Sequence, residues 1–160
     1  MKPLITFLLL ITTLVGFAQT PFRDYKEGLH YAKETNKPIV LFFTGLVCEN
    51  DTSIQGLFDK ENVNNELQNF VFIKLYVDDR TMLDKPYTIE YEGQKREIRT
   101  KGHEHAFHHL SKYQCNKTPS IYIINPEEVL VTDVEEERLN ALNMILLLKE
   151  AKAMYDTGKY

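Results

Sequence analysis

Cys48 and Cys115 are the two cysteines of this 160-residue chain, and their thiols could do covalent or redox chemistry. Two cysteines are too few for a disulfide framework or for a zinc site built from cysteines alone, but they allow one bridge or one reactive thiol. Cys48 follows the continuous apolar run 38–43, and apolar residues then recur at helical spacing (Ile54, Leu57, Phe58). This pattern predicts that Cys48 lies where a buried strand turns into a helix.

Histidines are concentrated in residues 103–109, where a helix is predicted. His105, His108 and His109 have i, i+3 and i+4 spacing and share one helix face, which could bind zinc or copper. The other interpretation is a solvated helix face that titrates near neutral pH. A metal site needs a fourth ligand, and Glu104 lies on a different face. We therefore expect no metal and no cofactor, with these three histidines as weak candidates.

The composition is that of an ordinary globular domain. Hydrophobic residues make up 43% of the chain and charged residues 26%, which excludes wholesale disorder. The formal net charge of -4 argues against nucleic acid as a main partner, because phosphate binding needs clustered lysine and arginine. The length fits one core of ordinary size.

Residues 1–18 have the features of a secretory signal peptide. Lys2 supplies a positive start, residues 4–15 are almost continuously apolar, and Gly16 and Ala18 are small residues at the recognition positions for cleavage. A membrane anchor is the alternative, but this run is shorter than the ~20 residues needed to span a bilayer. We expect cleavage near Ala18 and a single domain over residues 19–160. The mature protein is then periplasmic or secreted and has no further membrane span.

Helical and strand patterns alternate along the rest of the chain. One predicted helix follows Cys48 and carries Ile54, Leu57 and Phe58. The others cover residues 22–36, 63–67, 104–112 and 136–154, the last with Leu139, Leu142, Ile145 and Leu146 on one face. The predicted strands are 38–43, 70–77, 120–124 and 129–134, with a β-hairpin of strands 88–91 and 96–99 on either side of Glu92 and Gly93. We expect the basic residues near the hairpin (Lys95, Arg96, Arg99 and Lys101) to form a solvated edge. This order predicts an α/β domain with a central mixed sheet, flanking helices and a small hairpin insertion.

Three separated segments, 37–48, 75–79 and 118–119, resemble the thioredoxin superfamily in their sequence and in their order. The likeness is greatest to the thioredoxin-like C-terminal domain of bacterial thiol:disulfide interchange proteins. It covers essentially the whole chain after the leader, and it implies a thioredoxin-like fold.

The resemblance also implies a site. In that family a strand delivers Cys-x-x-Cys to a helix N-terminus, which favours the thiolate of the first cysteine. Cys48 stands at the position of this attacking cysteine, and Asp51 stands where the resolving cysteine should be. Phe42 occupies a strand position that is commonly a buried acid. Thr118 and Pro119 match the loop whose cis proline holds the partner chain.

Three interpretations of Cys48 remain open at this stage. It could be a monothiol that forms mixed disulfides with proteins or small thiols, or a remnant in a redox-inactive binding or chaperone-like module that uses the groove beside Pro119. It could also pair with Cys115. The helix N-terminus favours the thiolate, whereas the nearby carboxylates of Glu49 and Asp51 disfavour it, and the two effects are similar in size.

Overall fold

The computed structural model describes residues 19–46, 49–115, 117–134 and 139–160. The predicted leader, residues 1–18, and Cys48 lie outside these ranges. The helices are α1 (Tyr25–Thr35), α2 (Glu49–Phe58), α3 (Glu61–Leu67), α4 (Lys101–Tyr113) and α5 (Ala141–Thr157). The strands are β1 (Ile39–Thr44), β2 (Val71–Tyr76), β3 (Met82–Tyr91), β4 (Gln94–Thr100), β5 (Ser120–Ile124) and β6 (Leu130–Asp133).

The central sheet has four strands in the order β2-β1-β5-β6. Strand β1 pairs in parallel with β2 and antiparallel with β5, and β5 pairs antiparallel with β6. The helical connection between β1 and β2 is what a parallel pair requires. The sheet is therefore mixed and flanked by helices, which confirms the predicted fold class.

Every residue of β1 is buried, because helices cover both faces of the sheet. Val40 and Phe42 pack in one core with residues of α2, α3 and α5. Leu41 and Phe43 pack on the opposite face, in a second core that includes Ala32 of α1. The continuous apolar run seen in the sequence thus supplies both cores at once.

Strands β3 and β4 form a separate hairpin between β2 and α4. Its turn residues, Glu92 and Gly93, have φ values of 50° and 73°, and Tyr91 pairs with Gln94. Positive φ at both central residues defines the two-residue turn whose twist matches that of the strands. The hairpin is longer than the sequence pattern indicated, and its second strand leads directly into α4.

Helix α4 begins at Lys101, three residues before the predicted start. The Thr100 side chain caps it, accepting a hydrogen bond from the His103 N–H at 3.2 Å. The Gly102 N–H also donates to the Asp79 carbonyl at 2.9 Å, which joins the helix start to the segment that follows β2.

Helix α5 corrects the sequence analysis. It begins at Ala141 rather than near residue 136, with Asn140 as its N-cap, and residues 135–138 lie outside the described part of the chain. The predicted apolar face is only partly right, because Leu139 and Ile145 pack against the core whereas Leu142 and Leu146 are 65% and 56% exposed. The buried residues of α5 are Met144, Leu148 and Ala151. Within the described ranges, no helix has the length and apolar character needed to cross a membrane.

Candidate functional site

Strand β1 and helix α2 flank Val47 and Cys48, which lie outside the described residues. Strand β1 ends at Thr44, which is fully buried, and Leu46 is 59% exposed two residues later. Helix α2 begins at Glu49, the residue after Cys48, and Asp51 is its third residue. The predicted strand-to-helix transition around position 48 is therefore present in the flanking elements.

The Asp78 carboxylate anchors the segment that leads into Cys48. Both of its oxygens accept hydrogen bonds from the Leu46 backbone N–H, at 2.7 and 2.9 Å. The Val77 N–H also donates to the Thr44 carbonyl at 2.9 Å. Leu46 and Asp78 are 32 residues apart in the chain, so this contact depends on the tertiary structure.

Phe42 occupies the strand position that is commonly acidic in the resembled family, and it is fully buried. Lys74 lies opposite it on β2, with its ammonium nitrogen 5.8 Å from the Phe42 ring centroid. That ammonium donates to the Gln55 side-chain oxygen at 2.8 Å, and the Gln55 amide donates to the Thr44 hydroxyl at 3.2 Å. Position 42 therefore offers no carboxylate that could accept a proton.

The Thr118–Pro119 peptide bond is cis, and it lies directly before β5. Pro119 is buried and Thr118 is half-buried. Ser120, the first residue of β5, pairs with Phe43 of β1. This register brings the loop beside the end of β1, from which the chain continues towards Cys48.

Cys115 is a free cysteine and is half-buried. Its Sγ atom lies 3.9 Å from the hydroxyl oxygen of Ser120. That hydroxyl donates to the Lys117 carbonyl at 2.8 Å. The thiol therefore packs against the start of β5, next to the cis-proline loop.

A cavity of about 400 Å³ lies between the hairpin and α4, and Thr118 is one of its lining residues. It is a mainly apolar space with a few polar groups at its border. Its lining consists of Val77, Ile89, Arg96, Glu97, Ile98, His103, Ala106, Phe107, His109, Leu110 and Thr118. The hairpin was predicted from the sequence, but its packing against α4 and the cavity between them were not.

The histidines of α4 do not form the solvated face considered from sequence, because His105 and His109 are buried at 6% and 1% exposure. The His105 Nδ1 atom donates to the Tyr76 carbonyl of β2 at 2.9 Å. The His109 Nε2 atom lies 3.1 Å from the Tyr122 hydroxyl of β5. Two of the three histidines are thus engaged with different strands, and no cluster of three metal-ligating side chains occurs among the described residues.

Burial sets the protonation of this region. It lowers the pKa of His109 to about 4, with a further contribution from His108. Burial, followed by the charge of Lys112, also lowers the pKa of His108. Both imidazoles are therefore neutral at pH 7.

Comparison with known proteins identifies the fold. No protein-family model matches the sequence, and no curated protein matches it either. The solved structure of a DsbH oxidoreductase matches with a TM-score of 0.63 and 17% identity, covering 91% of this chain and 93% of its own. A thioredoxin from Thermus thermophilus matches with a TM-score of 0.61 and 15% identity, covering 88% and 92%. The oxidised C-terminal domain of DsbD from Neisseria meningitidis gives 0.58 and 15%, covering 82% and 99%.

These likenesses and the sheet order identify a thioredoxin-like fold, as the sequence predicted. Identities of 15–17% establish the architecture of the chain and nothing about its chemistry.

Proposed function

We propose that this is an exported protein that carries out thiol–disulfide exchange as a monothiol, with Cys48 as its nucleophile. The observation that carries the proposal is the arrangement around position 48. Leu46 is tied to Asp78, α2 begins at Glu49, and the cis Thr118–Pro119 loop lies beside the end of β1. A thiol at position 48 would precede a helix N-terminus, which stabilises a thiolate.

The proposed reaction is a single exchange. The Cys48 thiolate attacks one sulfur of a partner disulfide, a bond forms between the two sulfurs, and the old disulfide bond breaks. The other partner sulfur leaves with the electron pair and takes up a proton. The carboxylate of Asp51 cannot repeat this attack as a second thiol would, so an external thiol must release the mixed disulfide and restore Cys48.

The partners in this proposal are proteins or small thiols and disulfides. A partner polypeptide would lie along the Thr118–Pro119 loop, where Thr118 is half-buried and borders the cavity next to α4. Export belongs to the proposal because of the leader pattern in residues 1–18. It would place the thiol in the periplasm or outside the cell, where disulfides persist.

A second candidate function is a redox-inactive binding or chaperone-like module. The cavity of about 400 Å³ at Thr118 favours it, since binding there would need no thiol. Phe42 also favours it, because a buried phenylalanine at this position cannot transfer a proton as a carboxylate would. For this candidate, a Cys48→Ser variant would keep full function.

The two candidates are separated by exposing residues 19–160 to glutathione disulfide and measuring the intact mass. We expect the native protein and its Cys115→Ser variant to gain a glutathionyl group that dithiothreitol removes, whereas Cys48→Ser gains none. Asp51→Cys should restore a resolving thiol in the first turn of α2, so that glutathione is expelled as a thiol and an internal disulfide remains.

Two outcomes would contradict the monothiol proposal. One is a native protein that stays unmodified although the unfolded chain reacts, which means that Cys48 is inert in the fold. The other is modification that disappears in Cys115→Ser and persists in Cys48→Ser.

A further inference from the structure

Apolar side chains form much of the wall of the cavity between the hairpin and α4. Ile98 of β4 is 5% exposed, and Phe107 of α4 packs edge-on against Tyr91, with ring centroids 5.7 Å apart. The other apolar residues of the lining are Val77, Ile89, Ala106 and Leu110. The volume of about 400 Å³ lies within the ~300–1,000 Å³ typical of ligand sites. The space therefore suits a bulky apolar group.

Two charged side chains line the cavity, Glu97 and Arg96, and among the residues that the structure describes only Glu97 has a partner of opposite charge. Glu97 is already paired with Arg99, whose guanidinium nitrogen lies 2.6 Å from the Glu97 carboxylate. Arg96 also lines the cavity, and its guanidinium carbon lies 5.8 Å from the Tyr91 ring centroid. Within the described part of the chain, Arg96 makes no ion pair with a carboxylate. A positive charge is thus available beside the apolar space, and it complements an acidic group.

The position of the cavity indicates what kind of molecule would supply the apolar group and the acidic group. Thr118 forms part of its lining and is followed by the cis proline. An extended chain lying along this loop points alternate side chains in opposite directions. One of those side chains would enter the cavity, and its neighbours on the same side of the chain would pass Arg96.

We propose that the cavity is a specificity site for the partner polypeptide. It takes a bulky apolar side chain from a segment that carries an acidic residue within about two positions, and Arg96 binds the carboxylate. This inference rests on the proposed function, because it assumes a polypeptide along the Thr118–Pro119 loop. It adds the recognition chemistry, which the exchange reaction itself does not supply.

The test measures binding without disulfide chemistry. The protein is residues 19–160 with Cys48→Ser and isotope-labelled isoleucine methyl groups, and the probe is the peptide acetyl-Ser-Glu-Ser-Leu-Ser-Ser-amide. We expect shifts of the Ile89 and Ile98 methyl signals on titration. Affinity should fall about fivefold with lysine in place of glutamate in the peptide. It should fall about tenfold or more with serine in place of leucine.

Two pairs of variants localise the effect. Arg96→Glu should reverse the preference for the glutamate peptide over the lysine peptide. The same charge change at Lys95, on the other face of the strand, should leave the preference intact. Ala106 is exposed and borders the cavity, so Ala106→Trp should fill it and weaken every peptide. Ala153→Trp on the exposed side of α5 is its matched control.

Several results would overturn the proposal. They are unshifted Ile89 and Ile98 signals at saturating peptide, equal effects of the Arg96 and Lys95 variants, or free hexanoate binding as tightly as the peptide. The last result would assign the cavity to a small carboxylate instead. Because every protein in this experiment lacks Cys48, its outcome is independent of the glutathione assay that tests the exchange reaction.

Discussion

His109 is a titratable group enclosed between α4 and the central sheet. Its ring stacks on Phe43 at a centroid distance of 4.3 Å and an interplanar angle of 10°, and its Nε2 atom lies 3.1 Å from the Tyr122 hydroxyl. This environment stabilises the neutral imidazole, because charging it would place a cation in an apolar space without a counter-ion. The side chain thus acts as an aromatic core residue with one polar contact.

This burial predicts a specific dependence of stability on pH. The pKa of His109 falls from 6.5 to about 4 in the folded state, so the unfolded chain binds more protons between those values. The stability that the neutral ring provides is fully present above pH 6.5 and is lost as the pH falls towards 4. His109→Phe, whose ring cannot charge, should lose less stability over this interval in urea unfolding.

The matched control is His30→Phe, because His30 is on the surface with its side chain 74% exposed. Its pH profile should parallel that of the native protein. If the His109→Phe profile also runs parallel to the native one, burial of His109 does not control the acid limb.

For individual residues, the sequence predicted which side chains share a helix face, but it did not predict which of them are buried or what they contact. The spacing of His105, His108 and His109 placed them together on α4, but spacing does not tell which face meets the sheet. Histidine is usually exposed or half-buried, so the solvated face was the natural expectation. Asp78 shows the same limit, since its bond to Leu46 depends on tertiary structure.

The contact between α4 and the end of β2 allows no side chain at its closest point. A Cβ atom on Gly102 would lie 2.6 Å from both the backbone nitrogen and the carbonyl oxygen of Asp79, and 2.8 Å from the Val77 carbonyl oxygen. These are backbone atoms, which cannot rotate away as a side chain can. Gly102 therefore permits the close approach that positions both α4 and the hairpin.

Replacing this glycine should separate the two elements. Gly102→Ala is expected to lower the free energy of unfolding by about 2 kcal/mol or more, because the added methyl group overpacks a rigid contact. Gly56→Ala is the matched control, since a Cβ atom there meets nothing within 4 Å on α2. That change should raise stability by about 0.5–1 kcal/mol through helix propensity.

Chemical denaturation of the two variants measures both effects. Equal and small changes would show that the junction of α4 with β2 can relax without cost.

Helix α5 shows why element orientation was the weakest part of the sequence prediction. Its apolar residues form a nearly continuous run from Met144 to Leu148, so several faces look equally hydrophobic. The contact with α3 and the sheet selects Met144, Leu148 and Ala151 as the buried set. By contrast, the apolar face of α1 was predicted correctly, because Tyr25, Leu29 and Ala32 all pack in the second core. Its start was not, since α1 begins at Tyr25 and Phe22 forms a β-bridge instead.

For the molecule as a whole, one sheet separates two hydrophobic cores. Strands β1, β2 and β5 supply side chains to both cores. A substitution that destabilises one core should therefore destabilise the other, because the two share these strands. This dependence also explains why the fold was predictable. Long apolar strands in the order seen here have few alternative ways to be buried.

Leu148→Ala tests this cooperativity. It should destabilise the protein by about 2–5 kcal/mol, because Leu148 of α5 is 1% exposed and packs in the core that α5 forms with α2, α3 and the sheet. The chain has no tryptophan, so near-ultraviolet circular dichroism reports mainly on tyrosines. Three of these (Tyr25, Tyr113 and Tyr122) pack in the opposite core. The near- and far-ultraviolet unfolding midpoints should therefore shift together.

Leu146→Ala provides the control on the same helix. Leu146 is 56% exposed, and its loss should change stability by no more than about 0.5 kcal/mol. Separate midpoints for the two signals in Leu148→Ala would show that the cores unfold independently.

The segment before α1 has a consequence for self-association. Strand β2 is at the margin of the sheet, and Phe22 forms an isolated parallel bridge with Ile73 there. The Phe22 N–H donates to the Phe72 carbonyl at 2.8 Å, and the Lys74 N–H donates to the Phe22 carbonyl at 2.9 Å. These bonds occupy backbone groups that another chain could otherwise pair with. The segment around Phe22, just after the predicted cleavage point, thus prevents other chains from pairing with the edge of β2. Deleting it should favour oligomers.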